Sequence, residues 1–423
     1  MRLIQAVLFV LLAQVTYSQS NYSKNFTDER MRVDFIFAGN AKSEKLYLEQ
    51  IKREPIWGGS KNNLIDWFNY GEYKFEVIDP KTDSIIFSQG FCTLFEEWQT
   101  TEEATKVDRS YYQTIIFPYP KNTIKLKIFS RKWEGDFTQV FETIINPKDY
   151  FINPEVEGWA YKKLIDNGDP AKNVDIAFLA EGYTLKEMPK FENDVKRIVN
   201  YLFSQEPFKA NADKFNIWII NSASQESGTD VPGKEIYRKT IINSSFYTFD
   251  SERYLTTPDI KSVRDIAGHI PYDDICIIVN TNKYGGGGIY NHFAVFAADH
   301  VLSNKVFIHE FGHSFAGLGD EYYNSSTSYN DFYNTAIEPW SPNLTTLINF
   351  DLKWKSMIDS GTPVPTPRKV ENKDIVGVYE GGGYVSKGVY SPMMDCRMKS
   401  NEATGFCPVC SKAIEKMIKF KTE

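Results

Sequence analysis

Three residues set the chemistry that the chain can do: His309, Glu310 and His313, in the stretch SNKVFIHEFGHSFAGLGDEYY from Ser303 to Tyr323. Residues four apart lie on one face of a helix. Both imidazoles therefore point the same way and can hold one divalent ion, and nitrogen ligands in this pattern suit Zn²⁺. Glu310, beside the first histidine, is placed to act as base for a metal-activated water. Val306, Phe307, Ile308, Phe311 and Phe315 predict a largely buried helix, with Ser303 as its N-cap and Gly317 as its stop. The competing explanation is a helix with two hydrogen-bonded core histidines. Against it stands scarcity: the 423 residues include only five histidines, all between His269 and His313. His292 and His300 read as structural.

A zinc hydrolase needs a third protein ligand and an open position for water. After Ala316-Gly317 the chain turns into Leu318-Gly319-Asp320-Glu321-Tyr322, and such a turn can bring a ligand back to the metal. The metzincin pattern H-E-x-x-H-x-x-G-x-x-H has its third histidine about six residues after the second. Asp320 lies seven after His313, so the chain resembles a metzincin with one extra residue and a carboxylate as third ligand. Asp320 is the first choice and Glu321 the alternative. The competing explanation for both is an exposed acidic turn.

The resemblance narrows further. HEFGHSFAGLGDEY, followed far downstream by DCRM and FCPVC, is similar to the M64 peptidases, a family named for an IgA-cleaving metallopeptidase. The similarity runs from about Asn173 to the C-terminus, and the β-rich segment before it is similar to the domain that often precedes such catalytic units. It implies one catalytic zinc ion, peptide-bond hydrolysis, secretion, and a protein or peptide substrate, with host glycoproteins and immunoglobulins among the candidates. Metzincins place a methionine-bearing turn beneath the metal. Met398 fits the C-x-M of the family, and Met394 is the alternative. Tyr322, Tyr323 and Tyr290 are candidates for stabilising an oxyanion or contacting substrate.

The cysteines are Cys92, Cys276, Cys396, Cys407 and Cys410. Cys407-x-x-Cys410 fits a thiol redox pair or half of a zinc knuckle, but a four-thiolate site lacks a nearby fourth cysteine. In an oxidising compartment a disulfide from Cys396 to Cys407 or Cys410 is the expectation. Cys276, in an apolar run, is expected to be a free buried thiol.

Elements must bring these residues together. Residues 1–18 read as a signal peptide: Arg2, an apolar run from Leu3 to Val15, then Thr16-Tyr17-Ser18 before a cut. That run is too short to span a bilayer. The expected location is outside the cell or in a periplasm. Residues 20–154 carry repeated alternating runs (MRVDFIFAG, YKFEVID, SIIFSQGF, YYQTIIFPY, TIKLKIFSR, QVFETII) separated by turn signals, which predicts a β-sandwich. Residues 160–423 form the expected catalytic unit. Three apolar runs, at 174–180, 215–221 and 274–280, alternate with helices predicted at 185–203 and near 260–268. That pattern predicts an α/β unit, with a mixed, mainly parallel sheet, inside an overall α+β chain. The run 292–297 is expected to be an edge strand, open to an extended substrate. A net charge of −7 without a basic tract excludes a nucleic-acid footprint. Oligomeric state is not legible. Two other functions fit the same residues: a secreted binding protein with a degenerate peptidase domain, or a zinc hydrolase of non-peptide amides. Glu310 argues against the first, since a structural metal needs no base.

Overall fold

The computed structural model describes residues 21–323 and 333–423. The expected signal peptide lies outside these residues. In the first part of the chain come β1 (Phe26–Asn40), β2 (Ser43–Glu54), β3 (Tyr73–Asp79), β4 (Ser84–Phe91), α1 (Leu94–Gln99), β5 (Arg109–Pro120), β6 (Ile124–Arg131) and β7 (Phe137–Ile145). The strands form two antiparallel sheets, ordered β2-β1-β5 and β4-β3-β6-β7. β6 shows why they face each other. Ile124, Leu126 and Ile128 are buried and alternate with half-buried Lys125, Lys127 and Phe129, the period-2 pattern of a one-sided strand. Val33, Phe35 and Phe37 of β1 join Phe75, Val77, Leu126 and Ile128 in one core between the sheets. This is the expected β-sandwich. β2 was not anticipated, because half of SEKLYLEQIKRE is charged and half of it is exposed.

Next come β8 (Tyr161–Ile165), β9 (Val174–Glu181), α2 (Met188–Leu202), β10 (Phe215–Ile220), α3 (Ile260–Ala267), β11 (Asp274–Val279), β12 (Gly286–Ile289), β13 (Phe293–Ala297), α4 (Ser303–Ala316), β14 (Tyr379–Gly382), β15 (Val385–Ser391) and α5 (Pro408–Thr422). Six strands make one sheet, ordered β12-β13-β11-β9-β10-β8. Its four inner strands are parallel and both edges are antiparallel. Every residue of β9, β11 and β13 is buried, which is what helices on a parallel sheet require. The entry to α2 carries a capping box: the Thr184 amide and hydroxyl both donate to Glu187.

Two expectations are corrected. β13 is not an edge strand; it lies between β11 and β12, and the glycine strand β12 forms the edge. Only glycine fits there, because a β-carbon on Gly288 would come within 2.2 Å of the Glu310 carbonyl oxygen on α4. Both ends of that edge are already engaged, with the Leu255 amide on the Gly286 carbonyl and the Cys92 amide on the Tyr290 carbonyl. In α4, Ser303 is the first helical residue and Leu302 the N-cap, without a side-chain cap.

The sandwich docks on the second unit through buried charge. Arg32 bonds Asp34 within the sandwich and reaches Asp265 on α3 at 2.6 Å. Lys52 reaches the same carboxylate at 2.9 Å, and Arg30 pairs with Glu54 at 2.6 Å while donating to the Gly268 carbonyl. Three cations thus face three carboxylates, all largely dry. Such a set favours the docked arrangement mainly because breaking it strands a charge. Asp265→Ala leaves Arg32 and Lys52 short of a partner and is expected to lower the unfolding free energy by about 3–5 kcal/mol. Denaturant titration at neutral pH checks this; a loss below about 1 kcal/mol would contradict it.

Candidate active site

The helix that carries the histidines is held by its apolar face. Phe307 packs on Phe296 and Phe178 of the sheet, with ring centroids 4.8 and 6.0 Å apart, and stacks on Phe311. The opposite face looks into a cleft of ≈880 Å³, lined by His309, Glu310 and His313. Gly317 ends the helix in the left-handed conformation, φ 62°, and its amide closes on the His313 carbonyl. The chain then folds back beneath the helix.

This return brings Asp320 to the histidines. Its Oδ1 lies 3.0 Å from His309 Nε2 and 3.3 Å from His313 Nε2, and the two Nε2 atoms are 3.1 Å apart. Each Nδ1 meets a backbone carbonyl, Arg397 O at 3.0 Å for His309 and Leu318 O at 2.6 Å for His313. A carbonyl only accepts, so both Nδ1 atoms carry a proton and both Nε2 atoms face inward, free to take an ion once any proton there has left. Two inward nitrogens and a buried carboxylate oxygen converge on one point, where a cation reconciles them: a proton between His313 and Asp320, or a metal ion in its place. Ligands about 2.0–2.1 Å from a tetrahedral zinc lie roughly 3.3 Å from each other, which matches these separations. The residues fit a three-ligand site with an open fourth position.

Asp320 is itself fixed. Tyr384 donates to its Oδ2, the Gly383 amide donates to its carbonyl at 2.8 Å, and Tyr322 lies beside it with its ring under the Arg253 guanidinium. Burial alone would raise the Asp320 carboxyl, but the two histidines hold it well below its usual range. Burial pushes His313 down, yet the Asp320 charge and hydrogen bond outweigh it and lift it to about 9. His309 is raised in the same way by Asp320 against its burial. Burial raises Glu310, opposed by the two histidines. A β-carbon on Gly286 would sit 2.9 Å from Glu310 Oε1, so the glycine strand leaves this carboxylate its room.

The other expected residues separate clearly. Glu321, the alternative ligand, points away from the histidines and is fully buried; its Oε1 meets Asn343 Nδ2 at 3.0 Å and Cys410 Sγ at 3.1 Å. Met398 is fully buried, and a β-carbon on Gly312 would lie 2.9 Å from its sulfur, directly beneath the histidine helix. Met394 is only half-buried. Tyr290 lines the cleft beside Trp340, and Tyr323 is 38 % exposed, turned outward against Gly381. All five cysteines are free thiols in the structure, and two of the expected disulfide partners lie side by side, Cys396 and Cys410 Sγ 3.7 Å apart. His292 is buried against Arg264, and His300 Nδ1 accepts from the Leu302 amide.

Sequence reasoning missed Tyr384, Arg253, and the pair of Tyr254 with Glu97, which hydrogen-bond across the cleft. Glu97 sits on α1 of the sandwich, and burial raises it to about 7. With Glu72, Glu96 and Arg131 it makes the sandwich one wall of the cleft. No local sequence signal links residues this far apart.

The family model described as IgA Peptidase M64 matches residues 163–375 and 368–418, and the model described as Peptidase M64 N-terminus matches residues 21–142. A search of curated proteins finds no match.

Because Asp320 holds a proton on His313 to about 9, an entering ion must displace it. Metal affinity of the stripped protein is expected to rise by about tenfold per unit between about pH 6 and 8, with about one proton released per ion. Calorimetry in buffers of different ionisation enthalpy reads this directly. An affinity flat across that range would contradict it.

Proposed function

The chain belongs to the M64 peptidase family, and on that premise we propose that it is a secreted zinc endopeptidase in which His309, His313 and Asp320 hold the ion and Glu310 is the general base. The observation that carries this reading is the inward orientation of both Nε2 atoms, each fixed by a carbonyl behind it, with Asp320 Oδ1 closing the set.

A zinc ion bound there would supply Lewis acidity, acidifying a water and polarising a carbonyl. The remaining work falls to side chains. Glu310 takes the proton of the attacking water and later delivers it to the leaving amine. Its burial raises its basicity toward neutral pH, which suits both transfers. Tyr384 and the pinned turn hold Asp320, so the histidines keep one geometry through the cycle. Tyr322, between Asp320 and Arg253, is the candidate donor to the developing oxyanion. Trp340 offers aromatic surface to the substrate along the wall, with buried Tyr290 packed behind it. A peptide fits the cleft better than a small amide because the walls come from both units, Glu72 and Glu97 on one side and Tyr322 and Lys399 on the other. Residues 1–18, read from their sequence as a signal peptide, are what supports export in this reading. Among the described residues no helix is long and apolar enough to cross a membrane.

The test pairs the mature protein with Glu310→Gln on an unfolded protein substrate. The wild type is expected to cut. The variant should keep the same metal content and lose at least about 10²-fold in rate. Equal cleavage by the two proteins would overturn Glu310 as base. Metal in both and cleavage by neither would favour a binding role for the cleft.

A further inference from the structure

Behind the turn that carries Asp320 lies a second group of ligand-type side chains. Glu321, Cys396, Cys407 and Cys410 each offer one atom, and these atoms all lie within 4.8 Å of one another. All four residues are buried, at 0–4 % exposure. They come from three places: the 317–323 turn, the 396–398 turn and the start of α5. Cysteines are common in cores, but a carboxylate in a dry interior needs a compensating partner.

We propose that Glu321, Cys396, Cys407 and Cys410 form a second, closed metal site, for zinc, that braces the active-site turn. Thiolates about 2.3 Å from a tetrahedral zinc are roughly 3.8 Å apart; Cys396 and Cys410 Sγ are separated by 3.7 Å. Glu321 Oε1 is 3.1 Å from Cys410 Sγ, and its second oxygen, Oε2, is buried without a hydrogen-bond partner. The surroundings suit thiolates. The Cys407 amide points at Cys396 Sγ at 3.2 Å, and the Cys410 amide at Cys407 Sγ at 3.4 Å. Cys407 caps the 15-residue helix α5 and Cys410 lies in its first turn, where the helix dipole favours negative charge. Asn343 donates to Glu321 Oε1, an outer contact that orients a ligand. Four protein ligands leave no open position, so the site is structural. On binding, the thiol and carboxyl protons leave to solvent, and no oxidant or reductant is required. A disulfide between any two of the cysteines would strand the third thiol and the carboxylate.

The consequence reaches the histidines. Glu321 is adjacent to Asp320, and its amide bonds the Met398 carbonyl at 2.8 Å. Arg397, next to Cys396, provides the carbonyl that orients His309. An ion in the cysteine site therefore ties down the third ligand, the methionine floor and one histidine together. This inference does not rest on the peptidase reading.

Metal content and cobalt spectra of the full mature chain, prepared under reducing conditions, test it. Wild type is expected to hold about two zinc ions and, when loaded with cobalt, to show a thiolate-to-metal charge-transfer band. His309→Ala/His313→Ala should keep about one ion and the band; Cys407→Ser/Cys410→Ser should lose the band. If the cysteine variant does not fold, alkylation of the wild type decides instead, with Cys396, Cys407 and Cys410 protected until a chelator is added. A band in a protein that holds no metal at the histidines would uphold this site and sink the catalytic one. No thiolate band, thiols equally reactive with and without chelator, or a disulfide within the three cysteines would overturn it.

Discussion

Asp320 reaches two imidazoles because the backbone from Gly317 to Tyr323 is pinned at almost every residue. Gly317 occupies the left-handed region, the Leu318 amide bonds the Gly312 carbonyl, and both the amide and the carbonyl of Gly319 bond Asn343. The Glu321 amide bonds Met398, and the strand β14 side supplies Gly383 to the Asp320 carbonyl. In this turn consecutive side chains face opposite ways, Asp320 to the histidines and Glu321 to the cysteines. A shift that relaxed one would drag the other, so the histidine group and the cysteine group share one rigid piece of chain. Buried polar groups of this density are stable only when satisfied together, which couples the ligand geometry to the packing of α5 and the 396–398 turn.

The same logic of satisfied burial explains how the two halves of the chain stay together. The Arg32, Lys52 and Asp265 cluster and the Arg30 contacts to Gly268 seat the sandwich on α3. That seating carries α1 to the cleft, where Glu97 meets Tyr254. The first unit is thus a wall of the cleft as well as a neighbour of it, and the residues that line the cleft are drawn from both units.

Legibility in the sequence followed the range of the interaction. The histidine helix was readable because four-residue spacing and a run of Phe and Ile are local. The parallel strands were readable because continuous burial leaves an unbroken apolar run, as at Val174–Glu181. Thr184 with Glu187 was readable as a cap. β12 was not, since glycines have no strand preference and they are needed there only because a β-carbon on Gly286 or Gly288 would strike α4. β2 was hidden by charges on its solvent face. Tyr384, 64 residues from the carboxylate it bonds, left no local trace. The cysteines were readable as a group, but their neighbour Glu321 was not, because it reaches them from a turn some 75 residues away.

The most direct measurement is an anomalous difference map at the zinc absorption edge from crystals of the full mature chain. The account predicts a peak within bonding distance of His309 Nε2, His313 Nε2 and Asp320 Oδ1, with Glu310 beside it and no protein atom in the fourth position. No peak between the histidines in zinc-replete crystals, or a peak whose third ligand is not Asp320, would contradict it.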